Sequence, residues 1–490
     1  MDGMMKKIIT EKDLLRQILL LEQLANHKII TAKHLAELIN TTERTVFSDI
    51  TYIRQQLPDG WQIEAASSGF ALTHDGPLLM SQLWETFFPQ SIGVSLMKAL
   101  LFSSELRTQE ILNQTGTSYE TLRRHISKLN KSLTDFSLRI RVTNRVIRFE
   151  GSEINIRVFF HRLLLPYTHN NYFFEEYTIH ESHYYHFLDR LAKAKLQIDV
   201  EQIFGTCWFF INSIRIKANC RIDSFEFNED DPLYGLFQQP LSQLYQKEGV
   251  YLERSEHFFS FYCFLESWNY NNEWSETIQT TLETYQAIYK KTTHFVEKLA
   301  RLLQLPLASG TQLIENLLLL LIKTQESAKL SEWFGLEFHE IQRLNQPYSL
   351  PIEATIHDFL EEQTSRQWET SFPLWSTTTL LIQQAILQIN PIRAKGYFVF
   401  QGEPAWKAYL LQELNDFLGA RILLSAIEPG QLEGLSAIDV DFVLSNFPID
   451  DAPVPVFYLS MVPTKNELNQ VTELIQTCLL YTSPSPRDCS

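Results

Sequence analysis

A helix-turn-helix pattern occurs twice in the first third of this chain, the two copies lying 76 residues apart. An internal repeat constrains the fold strongly, because each copy must bury the same face in the same kind of unit. In the first copy, Leu14, Leu15, Ile18, Leu19, Leu21 and Leu24 space as one side of an amphipathic helix over 11–26. Thr31 is placed to cap a short helix whose apolar face is Leu35, Leu38 and Ile39. Asn40-Thr41 turns the chain, and Thr42 caps a helix over 43–57 with Val46, Ile50, Ile53 and Leu57 inward. Pro58-Asp59-Gly60 stops that helix. Two short alternating stretches, 61–64 and 70–73, then flank Ala-Ser-Ser-Gly and predict a β-hairpin. Three helices followed by a hairpin describe a winged helix-turn-helix, with 43–57 as the helix that enters the major groove.

The second copy sets Ser118-Tyr119-Glu120-Thr121-Leu122 against Thr42-Glu43-Arg44-Thr45-Val46. Ile126, Leu129 and Leu133 repeat the spacing of Ile50, Ile53 and Leu57, and Ile111 corresponds to Leu35. In its turn, Thr115-Gly116-Thr117, Gly116 can take a positive φ. Its wing is predicted over 138–143 and 146–151. The formal net charge of the whole chain is −16, which taken alone argues against a nucleic-acid partner. That charge is unevenly spread. Residues 1–150 hold 18 Lys and Arg against 16 Asp and Glu, so the rest of the chain carries a net −18. Within 123–148, Arg123, Arg124, Lys128, Lys131, Arg139, Arg141, Arg145 and Arg148 face one acid, Asp135.

A charge run is usually only a solvated face, but this one covers a recognition helix and its wing. Solvent-side residues of both copies are of the types that contact phosphates and base edges. In the first copy they are Thr42, Arg44, Thr45, Ser48, Ser67 and Ser68; in the second, Ser118, Thr121, Arg123, Arg124, Lys128 and Arg145. Double-stranded DNA is therefore the expected partner. Residues 1–75 net −2, so the second copy is expected to supply most of the phosphate attraction and salt dependence.

The remainder makes the chain mainly α and multidomain. Helical periodicity predicts helices over 153–165, 183–197, 200–218, 232–247, 255–268, 275–304, 311–325 and 375–390. Asp230-Asp231-Pro232, Pro240, Pro306, Pro347 and Pro351 punctuate them. Aromatic clusters such as 208–210 and 258–264 read as core. From 393 the pattern becomes strand–helix alternation, with strands at 396–401, 421–424, 440–444 and 454–459 and helices at 406–418 and 465–477. That is a small α/β unit with a parallel sheet. Five widely scattered cysteines without a CxxC pair argue against a disulfide framework or a zinc site, and neither metal nor cofactor is expected. No apolar run approaches the roughly 18 residues of a membrane helix, and the N-terminus lacks a signal-peptide pattern. A cytoplasmic location without membrane contact is expected. Residues 479–490 break the pattern and read as a non-native tail.

With two winged units in tandem and Glu150-Gly151-Ser152-Glu153-Ile154-Asn155-Ile156-Arg157 opening a long acidic helical region, the chain resembles the Mga group of Gram-positive transcriptional regulators. The resemblance runs to about residue 478 and implies a domain order. Winged helix-turn-helix 1 covers 1–75, and a linker helix with winged helix-turn-helix 2 covers 76–152. Two helical bundles like the regulation domains of sugar-responsive antiterminators (PRDs) cover 153–280 and 281–390, and a domain like the IIB component of sugar phosphotransferase systems covers 391–478. The resemblance further implies a dimeric global activator that works with RNA polymerase. It also implies tuning by histidine phosphorylation from a phosphotransferase-system phosphocarrier.

His180, His183 and His186, at i, i+3 and i+6 with Arg190 one turn beyond, are the candidate acceptors. His-x-x-His spacing also suggests metal, but no recognised ligand set accompanies it. The chain departs from the family pattern in three places. Antiterminator domains carry a His seven residues ahead of an Arg in a central helix, and here Trp208 stands ahead of Arg215. In the second bundle Ile314-Glu315-Asn316-Leu317 offers no His, which leaves His294, His339 and His357 unranked. The loop after the first C-terminal strand, Phe400-Gln401-Gly402-Glu403-Pro404, lacks the phosphocysteine of IIB enzymes. A dimerisation or sensing module is expected there rather than an enzyme. That missing cysteine also counts against a second reading, a phosphotransferase-system enzyme component. A third reading, a PRD-type RNA-binding antiterminator, requires an N-terminal β module where this chain is helical.

Overall fold

The computed structural model describes residues 3–66, 68–76, 80–168, 171–174, 180–271, 273–334, 350–363, 372–389, 394–419, 422–427, 440–449, 452, 454–464, 467–469 and 471–472. The chain divides into two units, Met1–Thr284 with Lys323–Glu337, and Tyr285–Ile322 with Phe338–Ser490.

The first unit opens with helices Gly3–Ile8, Lys12–Asn26, Ala32–Leu38 and Glu43–Gln56. Strands β1 (Trp61–Ala66) and β2 (Gly69–His74) follow as an antiparallel hairpin, with Trp61 opposite His74 and Ala66 opposite Gly69. Leu14, Ile18, Leu21, Leu24, Leu35, Val46, Ile50, Ile53, Ile63 and Phe70 are buried together, largely the set that periodicity turns inward. Leu15, Leu19, Ile39 and Leu57 of that set are half-buried, and Leu38 is exposed, at 47%. Its helix is only two turns long and buries Leu35 with Ala36, so the last turn faces solvent. Thr31 and Thr42 do cap their helices, each side-chain oxygen accepting from the backbone N–H three residues on, at 3.2 Å.

The second copy comprises helices Ile92–Phe102, Thr108–Thr115 and Tyr119–Leu133 with a small sheet. Its strands are β3 (Glu105–Arg107), β4 (Arg139–Val142) and β5 (Val146–Glu150), in the order β3-β5-β4. β3 is unanticipated, because three residues are too few to show alternation. Gly116 takes φ +63 at the end of its helix, as the turn requires. The N-terminal helix Gly3–Ile8 belongs physically with this second copy, although it lies within 1–75. A Cβ at Gly93 would meet the Ile8 carbonyl oxygen at 1.9 Å, so only glycine permits that approach. Ser132 Oγ donates to the Lys7 carbonyl at 3.2 Å and Lys128 Nζ to the Thr10 carbonyl at 2.7 Å.

A helical bundle follows, built from Glu153–Leu164, Glu181–Lys193, Gln202–Lys217, Pro232–Lys247 and Arg254–Glu266. Trp208, Phe209, Phe210, Phe258, Phe259 and Phe264 lie in its core, as their clustering predicts. The helix expected over 275–304 is two, Glu276–Glu283 and Gln286–Leu303. Thr280, Thr281 and Thr284 turn their hydroxyls back onto carbonyls of their own helix, which competes with continuing it.

The second unit holds Gln286–Leu303, Leu350–Gln363 and Phe372–Ile389, then a parallel sheet. Leu350–Gln363 goes unseen in the pattern because Pro351 reads as a breaker, whereas proline is tolerated in a helix's first turn. The sheet runs β7 (Ile422–Ala426), β6 (Ala394–Val399), β8 (Phe442–Ser445), β9 (Val456–Tyr458), all parallel. Helix Pro404–Leu418 packs Leu410 and Leu414 against Phe398, Leu424, Phe442 and Leu444. Of the helix expected at 465–477, residues 467–469 and 471–472 are described and helical, and the tail 479–490 lies outside the described residues. Among the described residues no helix is long and apolar enough to cross a membrane.

Candidate nucleic-acid interface

In the second recognition helix, Tyr119–Leu133, the inward row Leu122, Ile126, Leu129 and Leu133 is almost wholly buried. The outward side then carries Arg123, Arg124, Ser127 and Lys131, all exposed. The wing repeats this division through strand alternation. Ile140 and Ile147 are buried, while Arg139, Arg141 and Arg148 point out, with Arg141 opposite Arg148 and Arg139 opposite Glu150. Two acids temper the patch: Glu150 pairs with Arg141 at 3.2 Å, and Asp135 pairs with Lys7 at 3.3 Å.

Arg145 stands exposed on the wing turn, and the turn beneath it is fixed. Thr143 Oγ1 accepts from the backbone N–H of Arg145 and Val146, at 3.3 and 3.0 Å. Thr108 Oγ1 donates to the Thr143 carbonyl at 2.8 Å, and the Thr108 N–H donates to the Arg145 carbonyl at 3.0 Å. Such a turn presents a guanidinium at low entropic cost.

Four of the expected contact hydroxyls are already engaged. Ser118 Oγ caps Thr121 N at 3.2 Å and lies 2.9 Å from Thr121 Oγ1, repeating the Thr42–Thr45 arrangement. These groups shape the start of each recognition helix. Arg44, Ser48 and Ser68 are exposed, and Ser67 lies outside the described residues. Lys128 has a different partner from the one its charge suggests. Its ammonium donates to the Thr10 carbonyl, so it anchors the N-terminal segment instead of joining the outward row.

The first recognition helix is tied to its neighbour by Asp49, which is buried and accepts from Arg16 Nε at 2.6 Å and Nη2 at 3.0 Å. The carboxylate's hydrogen bond outweighs burial and lifts the Arg16 pKa above the ordinary arginine value.

Sequence reasoning misses the charged hub that joins this DNA-reading half to the bundle. Arg157 is fully buried and makes a two-pronged pair with Glu256, at 2.6 and 2.8 Å. Burial opposes its charge, but Glu256 and Glu153 outweigh burial and hold its pKa above the ordinary arginine value. Glu153 also accepts from Arg215, at 2.9 and 2.8 Å. Arg215 in turn donates to the Leu100 carbonyl at 2.6 Å, at the end of helix Ile92–Phe102. The only signal for this in the sequence is the Glu153–Arg157 pair at i and i+4.

Of the candidate phosphoacceptors, His180 and His183 lie together, with ring centroids 5.2 Å apart and the His180 N–H donating to Glu248 at 3.2 Å. His180 is the exposed residue just before its helix, and His186 is exposed on it. His183 is half-buried, its Nδ1 2.7 Å from Glu248 Oε1, with Lys217 Nζ 3.6 Å from the other Glu248 oxygen. Arg190 reaches Gln243 at 3.1 Å. Trp208 is buried, stacks on His161 at 4.1 Å and donates to Glu266 at 2.8 Å. Of the unranked histidines, His294 is exposed, His357 lies 3.4 Å from Glu361, and His339 falls outside the described residues.

Comparison with known proteins agrees with the tandem arrangement. Residues 11–69 match the M protein trans-acting positive regulator (MGA) HTH domain, and residues 77–164 the Mga helix-turn-helix domain. Residues 284–388 match a non-canonical single-stranded DNA-binding domain. The capsule synthesis positive regulator AcpB of Bacillus anthracis is 21% identical over 94% of this chain and 98% of its own length. The anthrax toxin expression trans-acting positive regulator of Bacillus anthracis is 20% identical over 96% of this chain and its whole length. Both Mga-type helix-turn-helix domains are thus matched in order, and over nearly its whole length the chain is similar to positive regulators of Bacillus anthracis.

Proposed function

We propose that this protein grips duplex promoter DNA with both winged units and raises transcription there; its relatives are named as positive regulators. The observation that carries the reading is the outward row Arg123, Arg124 and Lys131, together with the exposed Arg145 on its fixed turn. Phosphate neutralisation by such a row dominates affinity and makes it salt-dependent. Arg123→Ala with Arg124→Ala is expected to weaken binding to a promoter duplex and to flatten the log–log salt slope by about two. Titrations at two salt concentrations read both, and an unchanged slope would remove the second unit as the main phosphate contact.

The helical bundles are read as PRD-like and the C-terminal unit as IIB-like, with a dimer and contact with RNA polymerase as family expectations. In the C-terminal unit the helix that follows β6 is capped by its own Glu403, which accepts from Trp406 N at 2.8 Å. A carboxylate already satisfying that helix start supports a sensing or dimerising role over phosphoryl transfer.

For phosphoryl control, the His183–Glu248 contact favours His183 over His180 and His186 as the acceptor. A carboxylate on Nδ1 fixes the ring and leaves Nε2 as the nucleophilic nitrogen. Incubation with a phosphorylated phosphocarrier is expected to label wild type and His186→Ala, and to leave His183→Ala unlabelled. Equal labelling of all three removes the assignment.

A second nucleic-acid contact is favoured by the helix Gln286–Leu303, inside the single-stranded DNA-binding match. Lys290, Lys291, His294, Lys298 and Arg301 are exposed on one side of it, with Glu297 among them, opposite the buried Phe295, Val296 and Leu299. Lys290→Glu with Arg301→Glu is expected to abolish binding of a single-stranded oligonucleotide while duplex binding persists. Undiminished single-strand binding removes this reading.

A further inference from the structure

The two recognition helices align in register at an offset of 76 residues, and their caps and inward rows agree position by position. Their outward positions do not. Where the second helix has Arg123, Arg124 and Lys131, the first has Phe47, Ser48 and Gln55. At 3.6 residues per turn, Arg44, Ser48 and Gln55 lie opposite the buried Val46, Ile50 and Ile53. Phe47 flanks that row.

Single exposed apolar residues are ordinary on protein surfaces. Phe47 is singled out by its position and its support. It is 52% exposed on a helix whose duplicate presents a guanidinium at the same place. Its ring meets Phe70 of β2 edge-on, with centroids 5.6 Å apart at 72°. Phe70 is buried and fixed by paired backbone hydrogen bonds with Ile30, at 2.9 and 2.8 Å. One edge of the ring therefore rests on the wing and the remainder faces outward. Thr51, one turn on, donates its hydroxyl back to the Phe47 carbonyl at 2.8 Å, which withdraws a donor from that surface.

We infer that Phe47 is a base-reading residue of the first unit, packing on the C5-methyl of a thymine in the major groove. Thymine alone among the four bases carries a methyl there, and an apolar side chain is the group that reads it. A neutral ring releases no counterions, so this contact adds selectivity without salt dependence. The tandem units thus divide the work: the acidic first copy reads sequence and the basic second copy holds phosphate. The inference deepens the DNA-binding reading and rests on it.

The test starts with wild-type protein enriching a duplex from a randomised library. Each thymine of the enriched duplex is then replaced in turn by deoxyuridine, which lacks only the methyl. At one position wild type is expected to bind roughly fourfold more weakly, the worth of one buried methyl. Phe47→Ala is expected to show no step there, with the wild-type salt slope. Phe47→Arg, which imports the residue of the second copy, is expected to lose the same step and steepen the slope by about one. If neither variant loses a thymine step that wild type shows, or wild type shows none, the inference is overturned. The wild-type scan needs no substitution, so a misfolded variant leaves that arm intact. A wild type that enriches no duplex overturns instead the DNA-binding reading beneath it.

Discussion

His125 occupies in the second recognition helix the place that Asp49 holds in the first, and the pair shows how one position can serve one purpose by different chemistry. Asp49 anchors its helix through Arg16. His125 anchors its own through Thr10 Oγ1, with Glu11 at 3.7 Å. Burial lowers the His125 pKa, opposed by Glu11 and helped by Lys128. Burial also lowers His257, and it takes His161 well below the ordinary value, where Arg162 adds to the effect. In all three the fold favours the neutral ring more than water does. As pH drops through their ordinary value of 6.5 the unfolded chain binds more protons at these sites than the folded chain does, so stability falls. The denaturation midpoint is therefore expected to be lower at about pH 5.5 than at about pH 7.5, and the gap to narrow in His161→Leu. Equal midpoints at the two pH values would contradict this assignment.

At the scale of elements, helix Ile92–Phe102 is the joint between the DNA-reading half and the bundle. Its first turn admits the N-terminal helix through Gly93, and its last carbonyls receive Arg215 from the bundle. Arg215→Ala would leave the mostly buried Glu153 with one partner fewer and expose the helix end. Removing one member of a buried ion pair costs about 3–5 kcal/mol, and chemical denaturation is expected to show a loss of that size. A loss near zero would mean that the hub does not hold the joint. Gly93→Ala acts at the other end. It is expected to free residues 3–11 for proteolysis while the first winged unit stays protected, because the added Cβ would meet the Ile8 oxygen at 1.9 Å.

At the scale of the whole molecule, the net charge of −16 conceals a division of labour. The acidic body contributes repulsion from a duplex, and the outward cations of residues 123–148 contribute attraction. Affinity for duplex DNA is accordingly expected to fall as salt rises, with a log–log slope of about −0.9 for each phosphate neutralised. Affinity that rises with salt would show that repulsion from the body governs binding. The repeat, both recognition helices, both wings and the parallel C-terminal sheet were legible in the chain, because caps, inward rows and strand alternation are local patterns. The three-residue β3 and the helix beginning at Leu350 were not, the one being too short and the other opening on a proline that also reads as a breaker.

The sequence by itself determined where each recognition helix starts, which face it buries and which residues it turns outward. Those properties depend on neighbours a few positions away and on the 3.6-residue period. Only the tertiary structure decided what the outward and charged groups meet. Lys128 was drawn to the Thr10 carbonyl across 118 residues, and Arg215 to Leu100 across 115. His183 was drawn to Glu248 across 65. Pairings at that separation are set by how packed elements approach one another, and for the buried Arg215 a low-dielectric interior then makes its partners obligatory.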